Sequence, residues 1–310
     1  MFTPVSASQR TLKAPIHCTG IGLHSGVKAG LTLRPAPVDT GILFRRLDGA
    51  TGPVEIPAHW SNALESALCT TLSDGRNNTI LTIEHLMSAL AGSGIDNCVV
   101  ELTGPEVPIM DGSSAPFVFL IECAGVVEQR APRQMIKVLK PVQVGDDRAW
   151  ASLEPDDLFS IEFEIDFASK AIARQTASLT LDPAGYKNEI SKARTFGFLK
   201  DVEILRANGR ALGGSLDNSI VIDGDVVLNE GGLRYADEFV RHKVLDAVGD
   251  LYLAGGPLLG RFRGMRSSHA LNRRLLATLF ADRAAWAAVT AETAELGIGL
   301  WAEPARALSA

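Results

Sequence analysis

Short runs of alternating or β-branched apolar residues, such as Lys28 to Leu33 and Asn97 to Leu102, mark the first part of the chain, each bounded by Gly, Pro or Asp. A period of two with such boundaries predicts strands. Between them the period changes. Ile83, Leu86, Met87 and Leu90 recur at helical spacing, which predicts a helix over Leu81 to Ala91, with Thr79 or Thr82 to cap its start and Gly92 to end it. A second helix is expected after the Asp111-Gly112 turn, with Ser114 as cap, Pro116 in its first turn and Gly125 as its stop. Glu128 to Arg133 is polar, contains Pro132 and has no periodicity, so the domain boundary is expected there, dividing the chain into 1–130 and 131–310.

The second part repeats the outline without a residue-level repeat. Strands are expected from Met135 to Phe167, a helix near Ala184 to Ala193, a turn at Gly213-Gly214 and a strand at Ser219 to Ile222. A long helix then runs from about Asp237 to Ala254, and the Ala- and Leu-rich stretch from Ala270 to about Thr290 reads as helical. Hairpin-like clusters of strands with helices between them predict an α+β fold in layers, with two related domains. No GxGxxG follows a strand and no GxxxxGK[ST] is present, which argues against dinucleotide and P-loop nucleotide binding.

Composition narrows the class. The 310 residues are 46% hydrophobic and 21% charged, the balance of a globular chain with a sizeable core. A net charge of −6 argues against a nucleic-acid binder but leaves room for a phosphate-bearing small molecule held by local Arg and Lys. No apolar leader and no long apolar run is seen, so neither a signal peptide nor an integral membrane segment is expected. Cys18, Cys69, Cys98 and Cys123 are scattered and read as reduced thiols of a cytoplasmic protein. Cys69 is read as a core residue, with a place beside a metal as the alternative.

The long helix carries the clearest chemistry. Phe239, Val240, Val244, Leu245, Val248, Leu251 and Tyr252 make most of its surface apolar, yet His242, Asp246 and Asp250 form one stripe at i, i+4 and i+8. A buried polar stripe is costly unless its groups are paired or bind a metal. His242 and Asp246 supply two of the three protein ligands that a catalytic zinc needs; a simple His–Asp pair on a solvated face is the alternative. In the first helix Glu84 and His85 are neighbours, an arrangement that lets the imidazole ligate while the carboxylate reaches the attacking water; an exposed pair without function is the plainer reading. His269 sits in a loop entering the last helix. There it could act as an acid if a carboxylate such as Asp250 restored its charge, or it could merely cap the helix.

Taken together, ordered blocks of sequence resemble the UDP-3-O-acyl-N-acetylglucosamine deacetylases, zinc amidases of lipid A synthesis. The blocks are Thr19-Gly-Ile-Gly-Leu-His-Ser-Gly26, Thr82-Ile-Glu-His-Leu86, Gly94-Ile-Asp-Asn97 and Pro108-Ile-Met-Asp-Gly-Ser-Ser-Ala-Pro-Phe117. Ala193-Arg-Thr-Phe-Gly-Phe198, Leu212-Gly-Gly-Ser215, Phe239-Val-Arg-His-Lys-Val-Leu-Asp-Ala-Val-Gly-Asp-Leu251 and Ser268-His-Ala-Leu-Asn272 follow. The resemblance implies helices sandwiched between two sheets, one per domain. It implies a metal held by His85, His242 and Asp246, Glu84 as general base, and His269 as general acid oriented by Asp250. Lys243 and Thr195 would then stabilise the oxyanion. An insert over 195–215 would line an apolar passage for the acyl chain through Phe198, Leu199, Val202, Leu205, Leu212 and Gly214. Phe196 would pack on the sugar, and Arg266 is the candidate for the diphosphate.

The implied cofactor is Zn²⁺, with Fe²⁺ also suited to two His and one carboxylate. The expected partner is a small molecule, an acylated UDP-amino sugar, bound by a monomer. Another acylated amino sugar as substrate, or a non-catalytic metal-binding relative, are the alternatives. The tail ending Leu308-Ser309-Ala310 reads as a frayed end or a degradation signal.

Overall fold

Strand alternation and turn residues are realised chiefly in two large, separate sheets. The computed structural model describes residues 7–49, 52–66 and 68–290; the tail at Leu308 lies outside them. One sheet has five strands in the order Ile16–Ile21, Lys28–Pro35, Cys98–Leu102, Ile42–Arg46, Val54–Pro57. All neighbours are antiparallel except Ile42–Arg46 and Cys98–Leu102, which run parallel. Its inward positions, Leu31, Leu33, Phe44, Val100 and Leu102, are buried, as period two requires.

The other sheet has seven strands built around Leu258–Met265, which pairs with Gln134–Val138, Trp150–Glu154 and Phe159–Asp166. Arg174–Thr180 extends it beyond Phe159–Asp166, Val142–Gly145 beyond Trp150–Glu154, and Trp286–Thr290 beyond Gln134–Val138. A small third sheet joins Phe196–Phe198, Ile220–Asp223 and Val226–Val227.

Six helices are described: α1 (Glu84–Gly92), α2 (Ala115–Ala124), the one-turn α3 (Pro183–Gly185), α4 (Leu199–Ala207), α5 (Glu238–Leu251) and α6 (His269–Ala281). Eight of the nine residues of α1 and twelve of the fourteen of α5 are buried, so these two are interior helices, apolar on most of their circumference. They cross at Gly249, where a Cβ would stand 2.0 Å from the carbonyl oxygen of Glu84. Only a glycine permits that approach, and it brings the two polar helix segments face to face.

Several local expectations are corrected. Helix α1 starts at Glu84, later than expected, because Thr82 adopts a positive φ of 58° and spends its hydroxyl on Glu106 Oε1 (2.7 Å) instead of capping. Ser114 likewise donates to the carbonyl of His85 (2.8 Å) and caps nothing. Glu128 to Arg133, expected to be irregular, falls largely within the strand Val126–Pro132, which pairs antiparallel with Ser8–Leu12; a strand whose side chains are mostly half-exposed has no apolar period to read. The helix expected near Ala184 to Ala193 is reduced to α3 and a π-helical turn at Tyr186–Ile190. The C-terminal stretch is helical only to Ala281, after which Trp286–Thr290 adds a strand to the larger sheet.

Candidate metal centre and active site

The i, i+4 spacing on α5 places His242 and Asp246 one above the other, and the crossing of α1 brings His85 beside them. The Nε2 atoms of His242 and His85 lie 3.4 and 3.6 Å from Asp246 Oδ1. All three side chains are buried, and their ligand atoms lie within 4.8 Å of one another. Two bonds of about 2.1 Å at a tetrahedral angle set ligand atoms about 3.4 Å apart. His242 Nδ1 lies 3.1 Å from the carbonyl oxygen of Ala193; since a carbonyl only accepts, Nδ1 carries the hydrogen and the Nε2 lone pair faces Asp246. Asp246 Oδ1 is buried without a hydrogen-bond partner. A buried, unpaired carboxylate oxygen flanked by two imidazole nitrogens fits a divalent cation. Burial lowers His242 to about 3, so the ring is neutral and free to ligate.

Cys69 is not among these candidate ligands. Burial and the neighbouring Glu84 charge push its thiol up to about 11, so it stays protonated, a poor ligand and a satisfactory core residue.

Around the three candidate ligands lies a cleft of about 240 Å³ that is also lined by Glu84, Lys243, Thr195, Phe196 and His269. Glu84 is buried, contrary to the reading of an exposed pair, and its carboxyl pKa is raised by burial, only partly offset by His269 and His85. Its Oε1 faces His269 Nε2 at 3.9 Å, so candidate base and acid stand on either side of the same small space. His269 opens α6, with Ser268 as the cap. Burial and the helix N-terminus disfavour its imidazolium, but Asp250, whose Oδ2 lies 2.8 Å from Nδ1, together with the Glu84 and Asp246 carboxylates raises the pKa to about 9.

Lys243 Nζ lies 2.5 Å from Asp246 Oδ2. Burial works against its ammonium, yet the carboxylates of Asp246, Asp250 and Glu84 hold it above the ordinary lysine value. It is therefore a half-buried cation beside the candidate ligands, paired to a carboxylate, not a solvated surface charge. Thr195 is held by its backbone, donating to Gly112 O (2.8 Å) and accepting from Ile220 N (2.8 Å). Gly112 has φ 83° and lies against Asn218, which is why a glycine stands in the Asp111-Gly112 turn.

Phe196 stacks edge-on against Phe239 (5.0 Å) and His242 (6.1 Å) and lines the cleft. Phe198 meets Phe167 at 6.0 Å, and Leu199 and Val202 follow on α4. No residue of α4 is buried; Ile204 is 60% and Leu212 51% exposed. The insert is thus not a core helix. Leu212 and Gly213 donate backbone hydrogen bonds to the carbonyls of His24 and Leu23, and the Gly214 carbonyl accepts from Arg206. Arg266 stands apart from the cleft lining, its guanidinium 2.5 Å from Asp166.

Three groups escaped sequence reasoning. Thr70 donates its hydroxyl to Asp250 Oδ1 (2.5 Å) and its N–H to Glu84 Oε2 (3.0 Å). Thr70 comes from an irregular segment 180 residues from Asp250 and had no periodic signal to reveal it. Asn272 donates to Asp250 Oδ2 (2.9 Å), and its i+3 spacing from His269 was a usable sign. His24 is buried with neither ring nitrogen hydrogen-bonded, while its backbone N–H is held by Glu106.

A family profile described as UDP-3-O-acyl N-acetylglycosamine deacetylase matches residues 9–281. A relative from Thioalkalivibrio sulfidiphilus, named UDP-3-O-acyl-N-acetylglucosamine deacetylase, is 54% identical over 286 residues, covering 92% of this chain and 93% of its own. Relatives of the same name from Pseudomonas entomophila and Idiomarina loihiensis are 53% and 50% identical, covering 92% and 94% of this chain and 94% and 97% of their own.

Proposed function

The chain belongs to the UDP-3-O-acyl-N-acetylglucosamine deacetylase family, and from that premise we propose how its own residues carry out the reaction. The enzyme hydrolyses the acetamide of UDP-3-O-acyl-N-acetylglucosamine, giving acetate and the free amine, a step of lipid A synthesis. The observation that carries the assignment of roles is the single cleft in which a buried His–His–Asp cluster, an unpaired carboxylate oxygen, Glu84 and His269 converge.

His85, His242 and Asp246 would hold Zn²⁺, two imidazoles and a single carboxylate being the donor set of a catalytic zinc site. The bound ion supplies Lewis acidity to the attacking water and the acetyl carbonyl. Glu84 takes a proton from the water. His269 delivers its proton to the leaving nitrogen, and Asp250 holds that imidazole in orientation and charge. The Lys243 ammonium and the Thr195 hydroxyl stabilise the oxyanion, each contributing on the order of 3 kcal/mol at most in a water-poor site.

Phe196 packs on the sugar. The 195–215 insert lines the acyl passage through Phe198, Leu199, Val202, Leu205, Leu212 and Gly214; the exposed apolar residues of a helix that buries nothing support this reading over core packing. Each CH₂ buried there contributes about 0.8 kcal/mol, so chain length matters. Arg266 remains the diphosphate candidate, which requires it to leave Asp166. A division at 1–130 and 131–310 puts His85 and Glu84 on one unit and the remaining groups on the other.

Deacetylation of this substrate, measured as isolated, after chelation and after one equivalent of zinc, tests the proposal. Activity lost on chelation and restored by zinc is expected, with ferrous iron as a parallel addition. A folded, metal-loaded protein without turnover would overturn it.

A further inference from the structure

One buried ion pair lies outside the proton transfers just described. Glu238, the first residue of α5, is fully buried, and Arg194 is 9% exposed. Glu238 accepts from Arg194 N (3.0 Å), Nε (2.9 Å) and Nη2 (3.1 Å), and from Arg234 N (2.6 Å). Arg194 Nη2 also donates to the carbonyl of Gly232 (2.8 Å). The pair thus ties three segments together: the 193–195 peptide, the 232–234 loop and the start of α5.

Both chain neighbours of Arg194 face the cleft chemistry. Ala193 offers the carbonyl that takes His242 Nδ1, and Thr195 lines the cleft. Glu238 stands one helical turn before His242 on the same face of α5. Pulling Arg194 onto Glu238 therefore presses the Ala193–Thr195 peptide against the face that presents the metal-binding residues. A buried ion pair is a weak device for stability alone, because desolvating two charges costs about as much as their attraction returns. A guanidinium that makes two directed hydrogen bonds to a carboxylate, which also accepts from the same residue's backbone N–H, is a good device for orientation.

We propose that Arg194 and Glu238 are positioning residues that set the Ala193 carbonyl on His242 and the Thr195 hydroxyl over the cleft, so that metal affinity and turnover both depend on them. This rests on the roles assigned above to His242 and Thr195.

Three variants test it. Arg194→Lys keeps the charge and loses the fork. Arg194→Met with Glu238→Gln removes both charges while the amide oxygen still accepts backbone N–H groups. Glu238→Asp keeps the charge and withdraws the carboxylate by one methylene. Zinc dissociation constants are measured against a competing chelator, kcat and KM are measured separately, and the His242 tautomer is followed by ¹⁵N NMR of the metal-free protein. In variants whose metal-free circular dichroism matches the parent, zinc affinity is expected to fall about tenfold or more. kcat should fall at least tenfold with KM unchanged, and the Nδ1–H tautomer of His242 should lose its dominance. Parental zinc affinity and kcat in a folded variant, with only the melting temperature lowered, would make the pair purely structural and overturn the proposal. Full function in Arg194→Lys would overturn the role of the fork. A parent protein that fails to bind zinc would instead defeat the assignment of the metal site.

Discussion

Burial and pairing act in opposite directions on the side chains of the cleft, and the balance at each residue sets its chemistry. Glu84 is raised above the ordinary glutamate value because burial outweighs His269 and His85. His269 is raised to about 9 because Asp250, with Glu84 and Asp246, outweighs burial. A base must be ionised and an acid protonated, so kcat/KM should rise as pH passes through the Glu84 pKa, hold, and fall as pH passes about 9. Asp250→Asn removes the largest of the interactions that raise His269, so the alkaline limb should move to lower pH; a limb that stays in place assigns the acid to another group. Glu84→Ala should lose about 10²- to 10⁴-fold in kcat while keeping bound metal by elemental analysis. Loss of the metal from that variant would make Glu84 a ligand and not the base.

At the scale of elements, the crossing of α1 and α5 governs the site. Gly249 lets the helices approach until a Cβ would lie 2.0 Å from Glu84 O and 3.0 Å from Ser88 N, both of them backbone atoms that cannot swing aside. Gly249→Ala should therefore force the helices apart, costing about 1–3 kcal/mol as overpacking does. Because Glu84 and His85 ride on α1, metal affinity should fall along with the melting temperature. An unchanged melting temperature would mean that the crossing relaxes freely. The starts of α1 and α2 show how tertiary needs override local signals: Thr82 and Ser114, each suited to capping, give their hydroxyls to Glu106 and to the His85 carbonyl.

At the scale of the whole molecule the frame is an apolar core. Two sheets and two interior helices share a continuous apolar core that includes Phe44, Leu86, Leu102, Phe239, Val244 and Phe262. Chelation should therefore abolish activity yet leave far-ultraviolet circular dichroism intact, since that core is apolar and His85, His242 and Asp246 are not part of it. Zinc at 1,000 times its dissociation constant should add about 4 kcal/mol of stability, seen as a higher melting temperature. Loss of secondary structure on chelation would make the metal structural instead.

By itself the sequence determined what repeats locally or stands in ordered motifs. The long helix with His242, Asp246 and Asp250 on one face, the pairing of Glu84 with His85, and the layered α+β class were all legible, because helical period and strand alternation are properties of neighbouring residues. The motif resemblance was specific enough to indicate the family before any coordinates. Tertiary structure alone decided that His85 and His242 face one carboxylate oxygen, that Asp250 pairs with His269, and that Thr70 braces both Asp250 and Glu84. Only the fold showed that Glu128 to Arg133 lies largely in a strand and that the chain returns to the larger sheet at Trp286. The reason is the same in each case: pairing partners are distant in sequence, and burial, which sets the cost of a lone charge, is a property of the assembled core.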